Sequence, residues 1–417
     1  MNSQSKKMEL LGSASIPKAL LAMGIPTMVG MLVNAFYNLV DAYFVGGLGE
    51  SQMGAISVVY PLGQVVVGLG LLFGNGAASY ISRLLGRGDK ENADKVASTA
   101  LYSSVSIGAV IIIISMVFLH PILKLLGATD SILPFAATYA SIYIVSCIFN
   151  VFNVTMNNIV TSEGAAKTTM CALLTGAVLN IALDPLFIYV FDLGVAGAAI
   201  ATAISQVVST CVYLTYIFRK KSVFHFQVKD CTYTKETMTE IFKIGIPTLV
   251  FQILTSVSIS LINNAAGDYG DSAIAGMGVV TRLISMGSLS VFGFIKGFQP
   301  IAGYSYGAKK FDRLREAIKT SILWSTVFCV IFGVILALFP TAIVSQFTKG
   351  DAEMIRIGAV SLRANGISIM LFGFYTVYSS LFLALGKGRE GFILGACRQG
   401  ICFIPVILLL PMVWGLN

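Results

Sequence analysis

Charged residues are scarce in this sequence. They make up 12% of its 417 residues, against 56% hydrophobic residues, and the mean hydropathy is +0.83. Soluble globular chains carry roughly a quarter charged residues. The deficit therefore excludes a water-facing surface of ordinary size and predicts a membrane protein.

Cysteine pairs and a glycine repeat are also absent. The seven cysteines include no CxxC pair, and the 41 glycines follow no fixed period. These absences exclude a disulfide-stapled secreted domain and a collagen-like chain. Only two histidines occur, neither in an HExxH motif, and no P-loop is present. We therefore expect neither an enzyme nor a nucleotide hydrolase, and no cofactor.

Long apolar stretches dominate the rest of the chain. A helix that spans a bilayer needs about 20 mostly apolar residues. Short polar segments divide this chain into eleven such stretches. They cover 16–44, 52–81, 93–119, 132–160, 168–191, 196–218, 241–266, 272–303, 317–339, 354–385 and 392–414. The predicted fold class is an all-α polytopic membrane protein.

Lysine and arginine lie mainly on one side of these spans. Of 28, 22 lie in the N-terminal segment, in even-numbered connections or in the span ends next to either, and Lys387, Arg389 and Arg398 surround the tenth connection. The positive-inside rule then places the N-terminus and every even connection in the cytoplasm. Anionic lipid accounts for the net charge of +8, so we expect the lipid bilayer, and no nucleic acid, as a partner.

The two halves of the sequence resemble each other. At an offset of 221 residues, the Gly-Ile-Pro-Thr of 24–27 falls on the Gly-Ile-Pro-Thr of 245–248, and Gly86 falls on Gly307. Both copies begin on the same side of the membrane, which predicts a parallel repeat of six-helix lobes. The predicted segments are a lead-in (1–15), a first lobe (16–219), a cytoplasmic connection (220–240) and a second lobe (241–417). The sixth span of the first lobe has no counterpart, so we expect the second lobe to lack its last helix in this chain.

Two acidic residues lie well inside apolar stretches. Asp41 is five residues before Gly46, and Asp184 is seven residues before Phe191. At about 1.5 Å per residue, both lie in the outer half of spans that run outward. A charged side chain at this depth is costly, so each acid is expected to be protonated, paired or bound to a cation. A satisfied helix-packing carboxylate is the alternative.

Other polar groups fall at the same depth. They are Tyr37, Asn38, Tyr139, Asn180, Thr202 and, through a backbone carbonyl, Ala198. Carboxylate, amide and hydroxyl oxygens suit Na⁺, and a hydrogen-bonded carboxyl network suits H⁺. The residues predict a site for either ion and do not choose between them.

Candidates for a substrate cavity are less specific. Asn153, Met156 and Asn157 lie in the fourth span, Asn263 in the seventh and Arg282 in the eighth. Amides at near-helical spacing line cavities, but they also join membrane helices to each other. Arg282 is either a substrate contact or a structural cation.

Several short motifs together resemble the multidrug and toxic compound extrusion (MATE) family over essentially the whole chain. They are Gly24-Ile25-Pro26, Asn38-Leu39-Val40-Asp41, Gly86-Arg87-Gly88-Asp89, Asn180-Ile181-Ala182-Leu183-Asp184-Pro185 and Gly194-Val195-Ala196-Gly197-Ala198-Ala199. Within the family, the sequence is most similar to the bacterial branch that includes the MepA-type and DinF-like efflux pumps.

The resemblance implies a function. MATE-like proteins have two six-helix lobes around a central cavity and export bulky, often cationic, drug-like compounds in exchange for Na⁺ or H⁺. The family's first-lobe cation site falls on Asp41, Asn180, Asp184 and Thr202, which are the Na⁺ candidates, with Ala198 as a carbonyl donor. Tyr37 and Tyr139 match its associated network. We accordingly expect a monomeric antiporter in a prokaryotic cytoplasmic membrane.

One rival function shares this architecture. A lipid-linked oligosaccharide flippase would need several cavity cations to hold a pyrophosphate, and the spans offer only Arg282, Lys296 and Arg363. The sequence also lacks the second-lobe acids of one MATE branch, because 257–264 and 371–383 contain no Asp or Glu. We therefore expect coupling through the first lobe.

Overall fold

The computed structural model describes residues 3–48, 50–267, 271–347 and 352–414, and over these residues it is helical with no strand. The helices are α1 (Ser3–Gly12), α2 (Ile16–Gly46), α3 (Glu50–Arg87), α4 (Lys90–Val117), α5 (Leu119–Leu125), α6 (Leu133–Ser162), α7 (Ala166–Pro185), α8 (Gly194–Phe218), α9 (Lys235–Gly267), α10 (Asp271–Gly307), α11 (Phe311–Leu338), α12 (Pro340–Ser345), α13 (Ala352–Ile369), α14 (Phe372–Ala384), α15 (Gly388–Ala396) and α16 (Phe403–Trp414).

Nine helices of the described part are long and apolar enough to cross a membrane. A tenth crossing is counted if α13 and α14, which meet at an angle of 51°, form one bent span. The eleventh predicted stretch, 392–414, is divided in the structure among α15, a π-helical turn (Cys397–Ile401) and α16.

The basic connections α3–α4, α8–α9, α10–α11 and α14–α15 mark one end of the bundle, which we call the basic end; the opposite end is the outer end.

The turn between α3 and α4 explains the Gly86–Asp89 motif. Gly88 has φ +80°, a left-handed conformation that favours glycine. Asp89 then caps α4, because its carboxylate accepts a hydrogen bond from the Asn92 N–H at 3.1 Å. Gly86 serves a different purpose, which is close helix packing.

The two halves of the chain pack on each other towards the basic end. α2 contacts α10, and α3 contacts both α9 and α10. Thr27 Oγ1 donates to the Gly293 carbonyl at 2.6 Å, and Asn75 Nδ2 donates to Thr248 Oγ1 at 3.0 Å. Nearer the end, Arg83 forms an ion pair with Glu240 at 2.7 Å. The basic end is therefore closed in this conformation.

Glycines permit this close contact. A Cβ on Gly86 would lie 2.1 Å from the Tyr304 carbonyl oxygen, and one on Gly307 would lie 2.1 Å from the Arg83 carbonyl oxygen. Contacts shorter than 3.0 Å essentially never occur for real Cβ atoms. The crossing of α3 and α10 thus depends on the absence of a side chain from both helices.

The N-terminal segment, expected from sequence to be a polar lead-in, is partly buried. Lys7 of α1 forms an ion pair with Glu163 at 3.2 Å and also donates to the hydroxyl of Tyr216. On the other side, Arg313 donates to the Leu11 carbonyl oxygen, and Lys310 donates to that of Gly12 at 2.9 Å. α1 and the residues after it therefore connect both halves at the basic end.

Candidate functional site

Three helices position the two intramembrane acids. Asp41 lies near the end of α2, Asp184 near the end of α7, and α7 packs against both α2 and α8. Small residues permit this packing: a Cβ on Gly176 of α7 would lie 2.3 Å from Ser209 Oγ of α8. Ser209 Oγ donates to the Ala172 carbonyl at 3.1 Å, which joins the same two helices.

The predicted cation-site side chains come together at this junction. Asn180 Nδ2 donates to Asp184 Oδ1 at 3.2 Å and lies 3.5 Å from Thr202 Oγ1. The carboxyl groups of Asp41 and Asp184 are close enough to interact directly. Asp184 and Asn180 are almost fully buried, with relative exposures of 0% and 1%.

The junction holds oxygens without donors. Asp41 Oδ1, Asn180 Oδ1 and Asp184 Oδ2 are each buried and have no hydrogen-bond partner among the described residues. Buried polar atoms in folded proteins are almost always paired. Three unpaired oxygens from three side chains, two of them carboxylates, form an arrangement that a proton or a small cation can complete. No group of three or more His, Cys, Asp or Glu suited to a tightly bound metal occurs in the described chain.

Tyrosines surround the acids on one side. Tyr37, one turn before Asp41, lies near both carboxyl groups, and Tyr139 of α6 lies near Asp41 and Tyr37. The ring of Tyr139 stacks on that of Tyr143, with centroids 5.6 Å apart. Tyr143 was not among the residues predicted from sequence, although its spacing of four residues from Tyr139 places it on the same helix face.

Asn38 and Ala198 occupy different surroundings. The Asn38 amide is exposed and donates to Asn34 of its own helix at 2.8 Å and 3.1 Å, so it does not reach the acids. Ala198 is buried in the core cluster that contains Tyr139, one helical turn before Thr202.

Backbone irregularity follows Asp184 directly. Pro185 ends α7 and has no N–H to donate, and the chain continues as a π-helical turn, Leu186–Val190. π turns within helices are frequent at functional sites. Gly197 explains part of the 194–199 motif, because its Cβ would lie 2.6 Å from the Phe187 carbonyl of this turn.

The predicted cavity residues divide into several groups. Met156 is 0% exposed in the main core cluster of the first half, so its face of α6 points into the packed core in this conformation, and its place in a substrate cavity stays a prediction. Asn153 Nδ2 donates to the backbone and side-chain oxygens of Gln206 at 2.9 Å and 2.8 Å, and so joins α6 to α8. Arg282 is exposed on α10. The side chain of Asn263 lies outside the described part of the structure.

Asn157 joins the two halves of the molecule. Its Oδ1 accepts a hydrogen bond from Lys296 of α10, and its Nδ2 donates to Tyr213 at 3.2 Å. Lys296 borders a small internal pocket that is also lined by Asn75, Asn158 and Gln299. A lysine at this depth has only an amide as its described partner.

Two ionisable residues, Glu163 and Arg398, were not among the residues predicted from the sequence. Glu163 is fully buried at the basic end and accepts hydrogen bonds from Ser222 Oγ at 2.9 Å and the Val223 N–H at 2.6 Å. Arg398, which the sequence places next to the tenth connection and inside the predicted stretch 392–414, lies in the π-helical turn between α15 and α16. Its depth could have been predicted from its position ten residues after Gly388, where α15 begins.

One short sequence matches a serine hydrolase motif. Residues 303–307 read Gly-Tyr-Ser-Tyr-Gly, which matches GxSxG. Ser305 is 0% exposed and lies inside α10, not on a sharp strand-to-helix turn. The motif therefore does not present a nucleophile here.

Comparison with known proteins identifies the family. The MatE family model matches residues 26–186 and 247–409, and the two matches begin 221 residues apart, which is the offset at which the sequence overlays itself. Multidrug export protein MepA of Staphylococcus saprophyticus subsp. saprophyticus is 32% identical over 405 residues, covering 97% of this chain and 89% of that protein. MepA of Staphylococcus aureus (strain MSSA476) is 32% identical over 401 residues, covering 96% and 88%.

Solved structures agree with this result. One is described as an outward-facing conformation of a multidrug resistance MATE family transporter of the MOP superfamily; it has a TM-score of 0.89 and 28% identity, and covers 95% of this chain and 88% of its own. A MOP superfamily transporter from Pyrococcus furiosus Vc1, described as having a binding pocket of reverse polarity that suggests a different function, has a TM-score of 0.91 and 27% identity, with coverage of 99% and 92%. The predicted all-α polytopic fold and the predicted family are confirmed, and the chain belongs to the MatE family of membrane transporters.

Proposed function

We propose that this protein is a secondary active multidrug efflux antiporter, which exports bulky, often cationic organic compounds in exchange for Na⁺ or H⁺ by alternating access. The observation that carries the proposal is the buried junction of Asp41, Asn180 and Asp184, with three oxygens that lack donors. Two adjacent carboxyl groups away from water need a proton or a cation between them. Such a site can bind and release the coupling ion once per cycle.

The closed basic end supplies the second part of the mechanism. In the described conformation, α3 contacts α9 and α10 through glycines and an ion pair, so a path to that end is shut. If α3 separated from α9 and α10, the basic end would open. Linkage then requires that ion binding favours one arrangement and drug binding the other, with equal and reciprocal coupling.

The same proposal includes an orientation. We place the basic end and the N-terminus in the cytoplasm of a prokaryotic cell, because Lys and Arg favour the inner face of the membrane. The outer end, which contains Asp41 and Asp184, then faces the medium. The protein would work as a monomer with no cofactor besides its coupling ion.

A flippase for lipid-linked oligosaccharides is less well supported. Pyrophosphate would need several free cations facing one cavity. Lys296 is bonded to Asn157, and Arg282 and Arg363 are exposed on their helices. These three cations therefore do not form a pyrophosphate site.

Dye transport in proteoliposomes tests the function. We expect rhodamine 123, a cationic dye, to cross the membrane in one direction while Na⁺ or H⁺ moves down its imposed gradient in the other. The two gradients are applied in separate experiments. Protein-free liposomes control for leak. Transport under one gradient alone identifies the coupling ion, whereas no transport under either gradient would overturn the antiporter proposal.

The hydroxyl of Thr202 distinguishes the two ions. We expect Thr202→Val to weaken Na⁺-driven exchange about tenfold, because Na⁺ loses one oxygen donor, and to leave H⁺-driven exchange within about twofold. Thr175→Val is the matched control, since the Thr175 hydroxyl is exposed and donates to the Cys171 carbonyl of its own helix at 2.8 Å. Equal losses of Thr202→Val under both gradients would contradict a ligand role for this hydroxyl.

A further inference from the structure

Polar side chains join α6 to α8 along one face of each helix. Asn153 Nδ2 donates to the backbone and side-chain oxygens of Gln206 at 2.9 Å and 2.8 Å, and Thr210 Oγ1 donates to Asn153 Oδ1 at 3.0 Å. One turn further along α6, Asn157 Nδ2 donates to the hydroxyl of Tyr213 at 3.2 Å. We call these five residues the polar seam.

One end of the polar seam lies next to the ion site proposed above. On α8, Thr202 precedes Gln206 by four residues, and Thr210 and Tyr213 follow at intervals of four and three. Residues at these spacings lie on one face of a helix. Thr202 Oγ1 is 3.5 Å from Asn180 Nδ2 of the ion site. Because a helix moves as a rigid element, a shift of α8 at the ion site displaces the polar seam as well.

The other end of the polar seam meets the second half of the molecule. Lys296 of α10 donates to Asn157 Oδ1, so Asn157 bonds to both α8 and α10. Lys296 is eleven residues before Gly307, where α10 ends, which corresponds to about 16 Å along the helix. A charged side chain near the middle of a membrane is costly and usually tied to function. Among the described residues, Lys296 forms no ion pair with an Asp or Glu that would account for its presence.

The bond from Lys296 to Asn157 requires contact between the two halves. It lies beside an internal pocket of about 20 Å³, which has room for about one water molecule. The lining of this pocket comes from both halves, with Asn158 of α6 on one side and Gln299 of α10 on the other. Separation of α6 from α10, when the basic end opens, would break the bond.

We propose that Lys296 is a positioning residue of the exchange cycle: its bond to Asn157 stabilises the arrangement closed at the basic end, and the polar seam makes this bond depend on the ion site. An ion bound between Asp41 and Asp184 changes the packing of α7 against α8, and α8 carries the polar seam with it. Asn157 then moves away from Lys296, and the basic end opens to release the ion. This inference rests on the proposed antiport function and extends it to the second half.

Spin labels at the basic end measure this dependence. Asn92→Cys in α4 and Glu316→Cys in α11 are exposed positions, one in each half, and are introduced into the full chain without its seven native cysteines. Double electron–electron resonance in lipid nanodiscs gives the ratio of open to closed molecules while Na⁺ and H⁺ are titrated in separate experiments.

Four variants separate the parts of the proposal. Lys296→Met removes the charge and the donor, whereas Lys296→Gln keeps an N–H for Asn157 Oδ1. Asn153→Leu interrupts the polar seam and leaves Lys296 and Asn157 in place. Gln299→Met is the matched control, because Gln299 lines the same pocket three residues after Lys296 and is not part of the polar seam.

We expect the coupling ion to raise the ratio of open to closed molecules in the wild type. Lys296→Met should raise the ratio without ion about tenfold, as expected for a lost charge-assisted hydrogen bond, and Lys296→Gln by about threefold or less. Asn153→Leu should leave the ratio without ion within about twofold, but reduce the rise caused by the ion at least about fivefold. Gln299→Met should match the wild type in both. A closed-state distance equal to that of the wild type shows that each variant is folded.

Other results would overturn the inference. An unchanged ratio in Lys296→Met, or the same increase in Gln299→Met, would reject the positioning role of Lys296. An unchanged response of Asn153→Leu to the ion would reject the connection through the polar seam. Gradient-driven transport of rhodamine 123 by the wild type is measured in parallel. Absence of this transport rejects the antiporter, whereas transport together with an unchanged ratio in Lys296→Met rejects this inference alone.

Discussion

Asp184→Asn is expected to abolish ion-coupled efflux. Asparagine keeps the size of the side chain and can still accept the hydrogen bond from Asn180, but it carries neither a negative charge nor a titratable proton. Coupling free energies of about 1–3 kcal/mol correspond to about 5- to 150-fold changes in affinity. We expect the gradient-driven transport rate to decrease by a factor near the upper limit, about 150-fold. The measurement is rhodamine 123 transport in proteoliposomes under the gradient that drives the wild type.

Asp192→Asn is the control for this substitution. Asp192 lies eight residues later, is exposed, and has φ +53°, a left-handed conformation that asparagine also tolerates. It should leave transport unchanged. Dye binding measured without a gradient should survive in Asp184→Asn, because the predicted loss concerns coupling. Normal gradient-driven transport by Asp184→Asn would contradict the assignment of the ion site to the first half.

The depth of the acids was readable from the sequence because helices advance by a fixed rise per residue. Counting from Gly46 and Phe191 was sufficient to put Asp41 and Asp184 at one level, and helical periodicity put Asn180 on the face of Asp184. The unpaired state of their oxygens was not readable, because it depends on which donors the neighbouring helices α2 and α8 present.

Burial at the helix ends could not be predicted in the same way. Glu163 follows a predicted span and resembles any interfacial acid, yet α1 and the residues after α8 fold over it and exclude water. The core position of Met156 could not be predicted for a related reason: its depth was clear, but the direction of its helix face depends on tertiary packing. Local pattern determines the elements, and the contacts between elements determine the environment of each side chain.

Gly86→Ala is expected to prevent full closure of the basic end. The added methyl group would begin 2.1 Å from the Tyr304 carbonyl oxygen, and ordinary contact begins at 3.4 Å, so α3 and α10 would have to separate by more than 1 Å. Overpacking of this kind costs about 1–3 kcal/mol, which corresponds to about a 5- to 150-fold shift in the ratio of closed to open molecules. Both backbones meet here, so no flexible side chain can move aside.

A distance between the two halves measures the shift. Spin labels at Asn92→Cys in α4 and Glu316→Cys in α11, both exposed positions, can be placed in a background that lacks the seven native cysteines. Double electron–electron resonance should then show a larger population at long distance for Gly86→Ala. Gly46→Ala is the matched control, because its Cβ would meet no atom within 4 Å. Identical distance distributions for Gly86→Ala and wild type would contradict a closing role for this glycine contact.

The same substitution should reduce transport without removing the proposed ion site. Gly86 is at the basic end, whereas Asp41 and Asp184 are near the outer ends of α2 and α7. A ligand shifts a conformational equilibrium only by its differential affinity for the two states. If closure becomes more than about 3 kcal/mol less favourable, a coupling energy of about 1–3 kcal/mol cannot restore it. The transport rate should therefore decrease in proportion to the closed population, while the dye and the ion still bind. Alternating access between two packed lobes requires this result, because binding and turnover then depend on different parts of the protein.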